Sequence, residues 1–186
     1  MKIGICGKMC SGKSTLAKKI ILKYKKLCGV EFTIDSFAGK LYNIAHELFD
    51  MKKKDRPLLQ QIGTKMREID NDVWVNYIIQ KHQETENIII DDVRYSNELM
   101  ALIENGYFLI KLKISSELQE KRIKELYKDA SDQHLINRNH LSEINLDNMD
   151  ESKFNLVVYV DSDDIDNVVN KIMSILLSSL FSQVLQ

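Results

Sequence analysis

The chain has 186 residues, a length typical of one globular domain. Apolar residues make up 44% and charged residues 28%, which excludes a disordered chain. Lys and Arg number 26 and Asp and Glu 27, so the net charge of -1 gives no global positive field to favour nucleic acid or an anionic membrane. The basic stretches Lys18–Lys26 and Lys52–Arg56 are expected to form solvated helix faces.

Neither a signal peptide nor a membrane span is expected. Residues 1–6 are too short for the apolar region of a signal peptide and run directly into a glycine loop. The most apolar stretch, 172–180, carries three serines and predicts an amphipathic helix. The cysteines Cys6, Cys10 and Cys28 form neither a disulfide framework nor a metal-ligand pattern, which favours a reducing, cytoplasmic location.

The first predicted elements are a strand, a glycine-containing loop and a helix. Lys2–Cys6 has the apolar character of a buried strand, and Lys13–Cys28 follows with helical periodicity. The apolar residues expected on one face of this helix are Leu16, Ile20, Tyr24 and Leu27.

The rest of the chain alternates short apolar runs with longer periodic segments. Further strands are predicted at Glu31–Asp35, Asn87–Asp91, Tyr107–Ile114 and Leu156–Val160. Helices are predicted at Gly39–Asp50, Pro57–Ile69, Val73–Gln83, Asn97–Asn105, Ser116–Tyr127 and Ile165–Leu180. Strands separated by helices predict an α/β fold with a parallel sheet covered on both faces.

Residues 7–14 carry the strongest motif of the sequence. They are GKMCSGKS, which fits G-x-x-x-x-G-K-[ST] between a predicted strand and helix. Glycines let the backbone bring N–H groups against phosphate oxygens, and the helix adds its positive dipole end. Lys13 is expected to reach the β- and γ-phosphates of ATP and Ser14 to ligate Mg²⁺. The residues predicted to bind the nucleotide are Gly7, Cys10, Ser11, Gly12, Lys13, Ser14 and Thr15.

Cys10, within this loop, has two interpretations. The helix dipole could lower the pKa of its thiol, so that alkylation would block ATP binding. Alternatively, Cys10 is a small loop residue without a chemical role.

A kinase differs from a hydrolase or a switch in having cations that hold a second anion in line with the γ-phosphate. Arg94 directly follows the predicted strand with Asp91 and Asp92 at its end, at the sheet edge where ligands of doubly wound folds bind. Arg67 lies in an amphipathic helical segment, where an arginine is commonly solvated. Arg94 is therefore predicted to be catalytic, and both arginines are candidates for an acceptor phosphate.

Four segments resemble the deoxynucleoside monophosphate kinases of phages and large DNA viruses. Residues 92–98, DVRYSNE, resemble the D-V-R-[FY]-x-N-E signature of that family. Residues 59–64, LQQIGT, with Arg67, Asp72 and Trp74, resemble its L-Q-x-x-G-T…R…D-x-W-V block. Residues 37–41 are similar to its F-A-x-x-[LK] element, with a glycine placed before Lys40, and residues 140–143 resemble a late H-x-S-E element.

The resemblance implies a P-loop fold of the nucleoside monophosphate kinase type, three-layered, with a parallel sheet of five strands and a short lid. The acceptor-binding region would span about residues 36–83, and the implied substrate-binding residues are Phe37, Lys40, Gln60, Thr64, Arg67, Trp74 and Arg94. Trp74 could instead be a core aromatic residue, and Asn97 and Glu98 could only cap the following helix.

A mobile lid over ATP is expected at about residues 116–140. Arg122 is predicted to be a catalytic lid arginine, and Arg138 a second nucleotide-binding one. The alternative for each is a solvated arginine. Ser116 and Gln119 predict a capping box at the start of the lid helix.

Asp91 and Asp92 compete for the role of the acid that holds Mg²⁺ beside the phosphate loop. In a regular strand their side chains point to opposite faces, so they cannot share one task. The end of the apolar run 88–90 favours Asp91, whereas the family signature favours Asp92, which is the preferred prediction. Asp91 is then expected to accept backbone hydrogen bonds or to orient Arg94.

The sequence therefore predicts a single domain, residues 1–186, that uses ATP and Mg²⁺ to phosphorylate deoxynucleoside monophosphates. Its expected partners are small-molecule nucleotides, without nucleic acid or membrane, in the host cytoplasm if the source is viral. The apolar face of the last helix could be core or a homodimer surface. The alternatives are a P-loop kinase for a nucleoside or phosphomevalonate, and a nucleotide-hydrolysing switch, for which the base-specificity motif N-K-x-D is missing.

Overall fold

Five parallel strands form the centre of the computed structural model, which describes residues 1–128, 131–136, 138, 140–161 and 165–184. The strands are β1 (Lys2–Gly7), β2 (Thr33–Asp35), β3 (Ile88–Val93), β4 (Phe108–Ile114) and β5 (Leu156–Val160). Their order in the sheet is β2-β3-β1-β4-β5, with every neighbouring pair parallel. The predicted α/β fold with a five-stranded parallel sheet is confirmed.

Helices follow the strands and cover both faces of the sheet. They are α1 (Lys13–Cys28), α2 (Gly39–Phe49), α3 (Arg56–Ile69), α4 (Val73–Lys81), α5 (Ser96–Glu104), α6 (Ser116–Tyr127), α7 (Ser131–Ile136), α8 (Leu141–Ile144) and α9 (Ile165–Val184). A short 3₁₀ helix spans Glu151–Lys153. Helices α7 and α8 have only six and four residues, too few for the periodicity that predicted the other helices.

The core lies on both sides of the sheet. Ile89 packs with α1 and α9 on one face, and Ile88 and Ile90 pack with α4 and α5 on the other. All three isoleucines have no exposed surface, as expected for a central parallel strand. The predicted inner face of α1 is buried except for Leu27, which is 62% exposed. The prediction for Leu27 is wrong because the whole last turn, 25–29, extends beyond the core and is exposed.

Strand β3 contains a bulge at its carboxyl end. Gly4 pairs with Ile90 and Cys6 with Val93, so two residues of β3, Asp91 and Asp92, lie opposite the single residue Ile5. The expected strand end at Asp91 and the regular alternation of the two aspartates are therefore wrong. The bulge lets both Ile90 and Val93 face the core although they are three residues apart.

The apolar face of α9 is part of the core. Val169, Ile172 and Leu176 are buried beside α1, and Ile165 and Val168 pack against the same cluster. The side chain of Leu180, which the sequence placed on this face, lies outside the described residues. Among the helices that the structure describes, none is long and apolar enough to cross a membrane.

Strand β3 supplies a direct test of the core. We expect Ile89→Ala to lower the free energy of unfolding by about 2–5 kcal/mol, because it removes a buried side chain and leaves a cavity. Ile34→Ala in the neighbouring strand is the matched control, since Ile34 is 43% exposed, and its cost should stay under about 1 kcal/mol. Urea denaturation measures both, and equal costs would contradict the central position of β3.

Candidate active site

The loop between β1 and α1 has the backbone geometry that its glycines require. Gly7 has φ 152°, and a Cβ there would lie 2.7 Å from the Ser11 Oγ and 2.8 Å from the Leu112 carbonyl oxygen. Gly12, the N-cap of α1, has φ 97° in the left-handed region. Cys10 also has a positive φ, 62°, which is uncommon for a residue with a side chain. These turns bring the loop to the positive end of α1.

Lys13 is held by the loop itself. Its Nζ donates to the carbonyl oxygens of Gly7, at 2.6 Å, and Lys8, at 2.9 Å. Burial, with the nearby Arg94 cation, lowers the pKa of Lys13 to about 8 against the opposing effect of Glu143 and Asp92. A buried ammonium bound only to neutral carbonyls favours binding of an anion such as a phosphate.

Three side chains fix the middle of the loop from outside. The Met9 N–H donates to the Glu143 carboxylate at 2.6 Å, and the Gln119 side-chain amide donates to the Met9 carbonyl oxygen at 2.9 Å. Arg122 donates to the Cys10 carbonyl oxygen at 3.0 Å. The prediction of Gln119 as a capping residue is wrong: the N-cap of α6 is Ser115, which accepts from the Leu118 N–H.

Glu143 also connects the phosphate loop to the predicted acceptor arginine. Its other carboxylate oxygen accepts a hydrogen bond from Arg94, whose guanidinium also donates to the Ser142 carbonyl oxygen. The Glu143 carboxylate thus accepts hydrogen bonds from a loop N–H and from an arginine at the same time. Phosphate oxygens bind the same two kinds of donor in proteins. Sequence analysis found Glu143 only as part of the H-x-S-E element and gave it no role.

Asp92 joins the D-V-R and F-A elements. Its two carboxylate oxygens accept from the N–H groups of Phe37, at 2.7 Å, and Ala38, at 3.0 Å. Burial raises the pKa of Asp92, and these two hydrogen bonds and Arg94 oppose the rise. Asp92 therefore accepts the backbone hydrogen bonds that were expected at Asp91, and it fixes the loop that leads into α2.

Glu98 joins the D-V-R element to α3. Its carboxylate accepts from the N–H groups of Arg94 and Tyr95 and pairs with Arg67 at 3.4 Å. Burial and the nearby Asp92 charge raise the pKa of Glu98 to about 7 against these partners. Arg67 stacks on the Tyr95 ring, 4.2 Å from its centroid. Glu98 therefore caps the helix, as one expectation had it, and also orients Arg67.

Asn97 makes the corresponding connection to α4. Its side-chain amide donates to the Asp72 carboxylate at 2.8 Å and to the Asn71 carbonyl oxygen at 3.1 Å. The segments that resemble the viral kinase family, far apart in sequence, thus contact one another through hydrogen bonds, which are half-buried at Asp92 and Glu98 and exposed at Asn97. Their co-occurrence in the sequence has a physical reason in the folded chain.

A cavity of about 160 Å³ lies between α2, α3, the end of β3 and α8, and it is called the acceptor-side cavity below. Six of the seven predicted substrate-binding residues line it, namely Phe37, Gln60, Thr64, Arg67, Trp74 and Arg94. Lys40, half-buried in the first turn of α2, does not line the cavity. Trp74 is buried in the core and also lines the cavity, and among the residues that the structure describes its indole N–H has no hydrogen-bond partner. Trp74 is therefore a core aromatic residue, and its role in substrate binding stays a prediction, which its position in the cavity lining and its N–H suit.

A second cavity, of about 340 Å³, opens on the other side of the phosphate loop. Its lining residues are Cys10, Gly12, Thr15, Arg122, Glu125, Leu126 and Ile165. Burial raises the pKa of the Cys10 thiol although Lys13 and Arg122 oppose the rise. The direction is opposite to the lowering that a reactive thiol needs, so the structure favours Cys10 as a small loop residue.

The two predicted lid arginines, Arg122 and Arg138, make different contacts. Arg122 on α6 faces the phosphate loop through Cys10, whereas Arg138 pairs with Glu120, the Nη1 to Oε2 distance being 3.6 Å. The predicted lid region also includes 129, 130, 137 and 139, which lie outside the described residues. The structure brings Arg122 to the phosphate loop and holds Arg138 against α6.

The predicted magnesium ligands are sparse. Ser14 is exposed in the first turn of α1, and Asp91 is half-buried at the end of β3. In the described part of the chain no three His, Cys, Asp or Glu side chains cluster as metal ligands. A hydroxyl and a carboxylate are ligand types that Mg²⁺ accepts, and this ion usually keeps several waters and takes further ligands from substrate phosphates. Ser14 and Asp91 therefore stay predictions as its ligands.

Arg56 is a residue that sequence reasoning missed. It belongs to the basic stretch expected on a solvated face, yet it is half-buried and lines the acceptor-side cavity. Gln119 was missed as well, because a single glutamine in a helix carries no sequence signal for a contact with a distant loop.

The lowered pKa of Lys13 predicts proton uptake on nucleotide binding. Phosphate anions favour the ammonium form and raise its pKa. ATP binding at pH 8.5 should therefore take up more than about half a proton, and at pH 7 almost none, because Lys13 is already charged there. Calorimetry in two buffers of different ionisation enthalpy measures the uptake. Lys13→Met should abolish it and the exposed Lys18→Met should keep it; uptake that survives Lys13→Met assigns the proton to another group.

Comparison with solved structures identifies the same fold in several kinases. A gluconokinase from Sinorhizobium meliloti 1021 is 16% identical with a TM-score of 0.57, over 98% of this chain and 96% of that one. A shikimate kinase from Acinetobacter baumannii, in complex with shikimate, is 14% identical with a TM-score of 0.55, over 96% and 93%. A dephospho-CoA kinase from Campylobacter jejuni is 18% identical with a TM-score of 0.52, over 94% and 96%. At these identities the likeness shows the P-loop kinase fold.

Comparison with curated proteins gives no match. A family model described as AAA domain matches residues 3–146, which is more than half of the chain and includes the phosphate loop, the acceptor-side cavity and α8. The chain therefore belongs to the AAA domain family.

Proposed function

We propose that the protein transfers the γ-phosphoryl group of ATP to a deoxynucleoside monophosphate. The observation that carries the proposal is the acceptor-side cavity, which opens beside the phosphate loop and contains Arg67 and Arg94. A hydrolase or switch has no need of a second anion site at this position, whereas a phosphotransferase requires one in line with the γ-phosphate.

The lining of the cavity supports a nucleotide acceptor. Phe37 and Trp74 provide flat apolar surface for a base, and Gln60 and Thr64 provide polar groups at its edges. Arg67 and Arg94 line the same cavity and would compensate the charge of a monophosphate. Lys40 keeps only the support of the family resemblance, since it lies outside the cavity.

The proposed reaction is a direct in-line transfer. The bond from the γ-phosphorus to the bridging oxygen breaks as a phosphate oxygen of the acceptor bonds to the same phosphorus. Lys13, Arg94 and Arg122 neutralise charge on the phosphoryl oxygens as it shifts. Mg²⁺, held by Ser14 and an aspartate, would supply further charge neutralisation on the donor phosphates.

An acceptor panel tests this proposal. ADP release is measured with ATP and Mg²⁺ and each nucleoside monophosphate in ribose and deoxyribose form, with nucleosides, phosphomevalonate, gluconate and shikimate as alternative acceptors. We expect deoxynucleoside monophosphates to raise ADP release about a hundredfold over the acceptor-free rate. Equal rates with and without every acceptor would favour a hydrolysing switch.

Substitution of the acceptor arginines should separate the two sides of the site. Arg67→Ala and Arg94→Ala are expected to weaken monophosphate binding and to lower kcat/KM about a hundredfold, with ATP affinity changed less than about threefold. Separate titrations of ATP and of the monophosphate measure the two affinities. The assignment is reversed if both variants lose ATP affinity and keep the acceptor.

The two aspartates of the bulge give a further test. Both oxygens of Asp92 already accept backbone N–H groups, which leaves Asp91 as the freer candidate to serve Mg²⁺, although Asp92 is the aspartate whose charge acts on Lys13. We therefore expect Asp91→Asn to raise the Mg²⁺ concentration needed for half-maximal rate about tenfold or more. Asp92→Asn should instead raise the acceptor KM, because it loosens the Phe37 loop. The opposite pattern in rates measured against Mg²⁺ would return the metal to Asp92.

A further inference from the structure

Arg56 occupies a fixed position in the lining of the acceptor-side cavity. It is the first residue of α3, directly after the N-cap Asp55, whose carboxylate accepts from the Leu58 N–H at 3.0 Å. Pro57 restricts the backbone of the same turn. The start of the Arg56 side chain is therefore positioned by a capped, rigid helix end.

The guanidinium of Arg56 reaches the middle of the phosphate loop. Its Nη2 lies 3.4 Å from the Sδ of Met9, the residue whose N–H binds the Glu143 carboxylate. Both Arg56 and Glu143 line the acceptor-side cavity. Arg56 thus stands where the loop and the acceptor site meet, close to the point at which the protein places its own carboxylate.

Arg56 lacks the counterion that the other arginines of this cavity have. Arg67 pairs with Glu98 and Arg94 with Glu143, but among the described residues no carboxylate lies within 4 Å of Arg56. Its Nε is buried and makes no hydrogen bond in the described structure. A buried donor without a partner costs about 1–3 kcal/mol, so its retention calls for a reason.

Stacking on Tyr127 does not satisfy Arg56. The centre of the guanidinium lies 6.0 Å from the Tyr127 ring centroid, at the outer limit of a cation–π contact. The ring attracts the charge but accepts no hydrogen bond from the buried Nε–H. An anion with several oxygens at the phosphate loop would supply both charge and acceptors.

We propose that Arg56 binds the phosphoryl group during its transfer, donating hydrogen bonds to its oxygens from the acceptor side while Lys13 binds from the nucleotide side. The inference rests on the proposed phosphotransfer. Arg56 neither gains nor loses a proton in the step; it compensates charge on the equatorial oxygens as the bond to the leaving oxygen breaks and the bond to the acceptor oxygen forms.

The test uses a mimic of the phosphoryl group in transfer. The dissociation constant of ADP is measured with Mg²⁺ and the four deoxynucleoside monophosphates, with and without aluminium fluoride, by the fluorescence of Trp74, the only tryptophan in the sequence. Aluminium fluoride should tighten ADP binding to the unsubstituted protein. Arg56→Met should lose at least about tenfold of that tightening and keep the affinity for ADP alone within about twofold.

Two control variants separate phosphoryl binding by Arg56 from effects of charge and of packing, and a third variant tests the guanidinium itself. Lys53→Ala removes an equal charge from the exposed segment just before α3 and should keep the tightening. Tyr127→Leu removes the stacking partner and should keep it too. Arg56→Lys, which retains charge but loses the planar fork, should restore the tightening only in part.

The outcomes are distinguishable. Full tightening in Arg56→Met overturns the inference, as does an equal loss of affinity for ADP alone, since that makes Arg56 a support of the nucleotide loop. Equal losses in Tyr127→Leu also overturn it in favour of a packing role. Absence of tightening in the unsubstituted protein contradicts the proposed function itself, which the acceptor panel tests separately.

In steady-state kinetics, Arg56→Met should lower kcat about a hundredfold with little change in the KM of ATP.

Discussion

The cations that meet at the carboxyl edge of the sheet need anions, and this requirement explains most contacts of the candidate site. Lys13, Arg67 and Arg94 converge there on a half-buried surface, where charge is costly without compensation. Glu143 and Glu98 each accept from one of the arginines, and Lys13 is left with carbonyl oxygens. Asp92 adds a third carboxylate to the cavity lining, and Lys54 and Arg56 add two further cations. Positive charge is therefore in excess there, which favours the binding of a phosphate.

The raised and lowered pKa values follow from the same arrangement. Burial disfavours the charged form of acids and of bases alike. The pKa of Glu98 therefore rises to about 7, and the pKa of Lys13 falls to about 8. Below pH 7 more than half of the Glu98 population is neutral, which leaves Arg67 with less compensation from within the protein. Glu98 beside Arg67 and Lys13 in the phosphate loop are therefore two different groups whose charge changes near pH 7 to 8.

Much of the fold was predictable because it depends on local signals. The phosphate loop, the apolar run 88–90 and the helical periodicities each report on neighbouring residues, and five strands were found to within two residues at each end. The bulge in β3 was not predictable, since it arises from pairing with β1. Contacts of the site such as Gln119 with Met9 join residues 110 positions apart, and nothing in either local sequence specifies them.

The family-like segments illustrate why a motif can predict a site without revealing its mechanics. The sequence identified Asp92, Arg94 and Glu98 as one signature, but it could not show that each serves a different neighbour. Asp92 fixes the Phe37 loop, Arg94 binds Glu143, and Glu98 orients Arg67. Residues 92–98 thus form hydrogen bonds or ion pairs with the Phe37 loop, α3 and α8. Glu143 binds the Met9 N–H with one carboxylate oxygen and Arg94 with the other. A single side chain therefore connects the phosphate loop to the acceptor-side cavity.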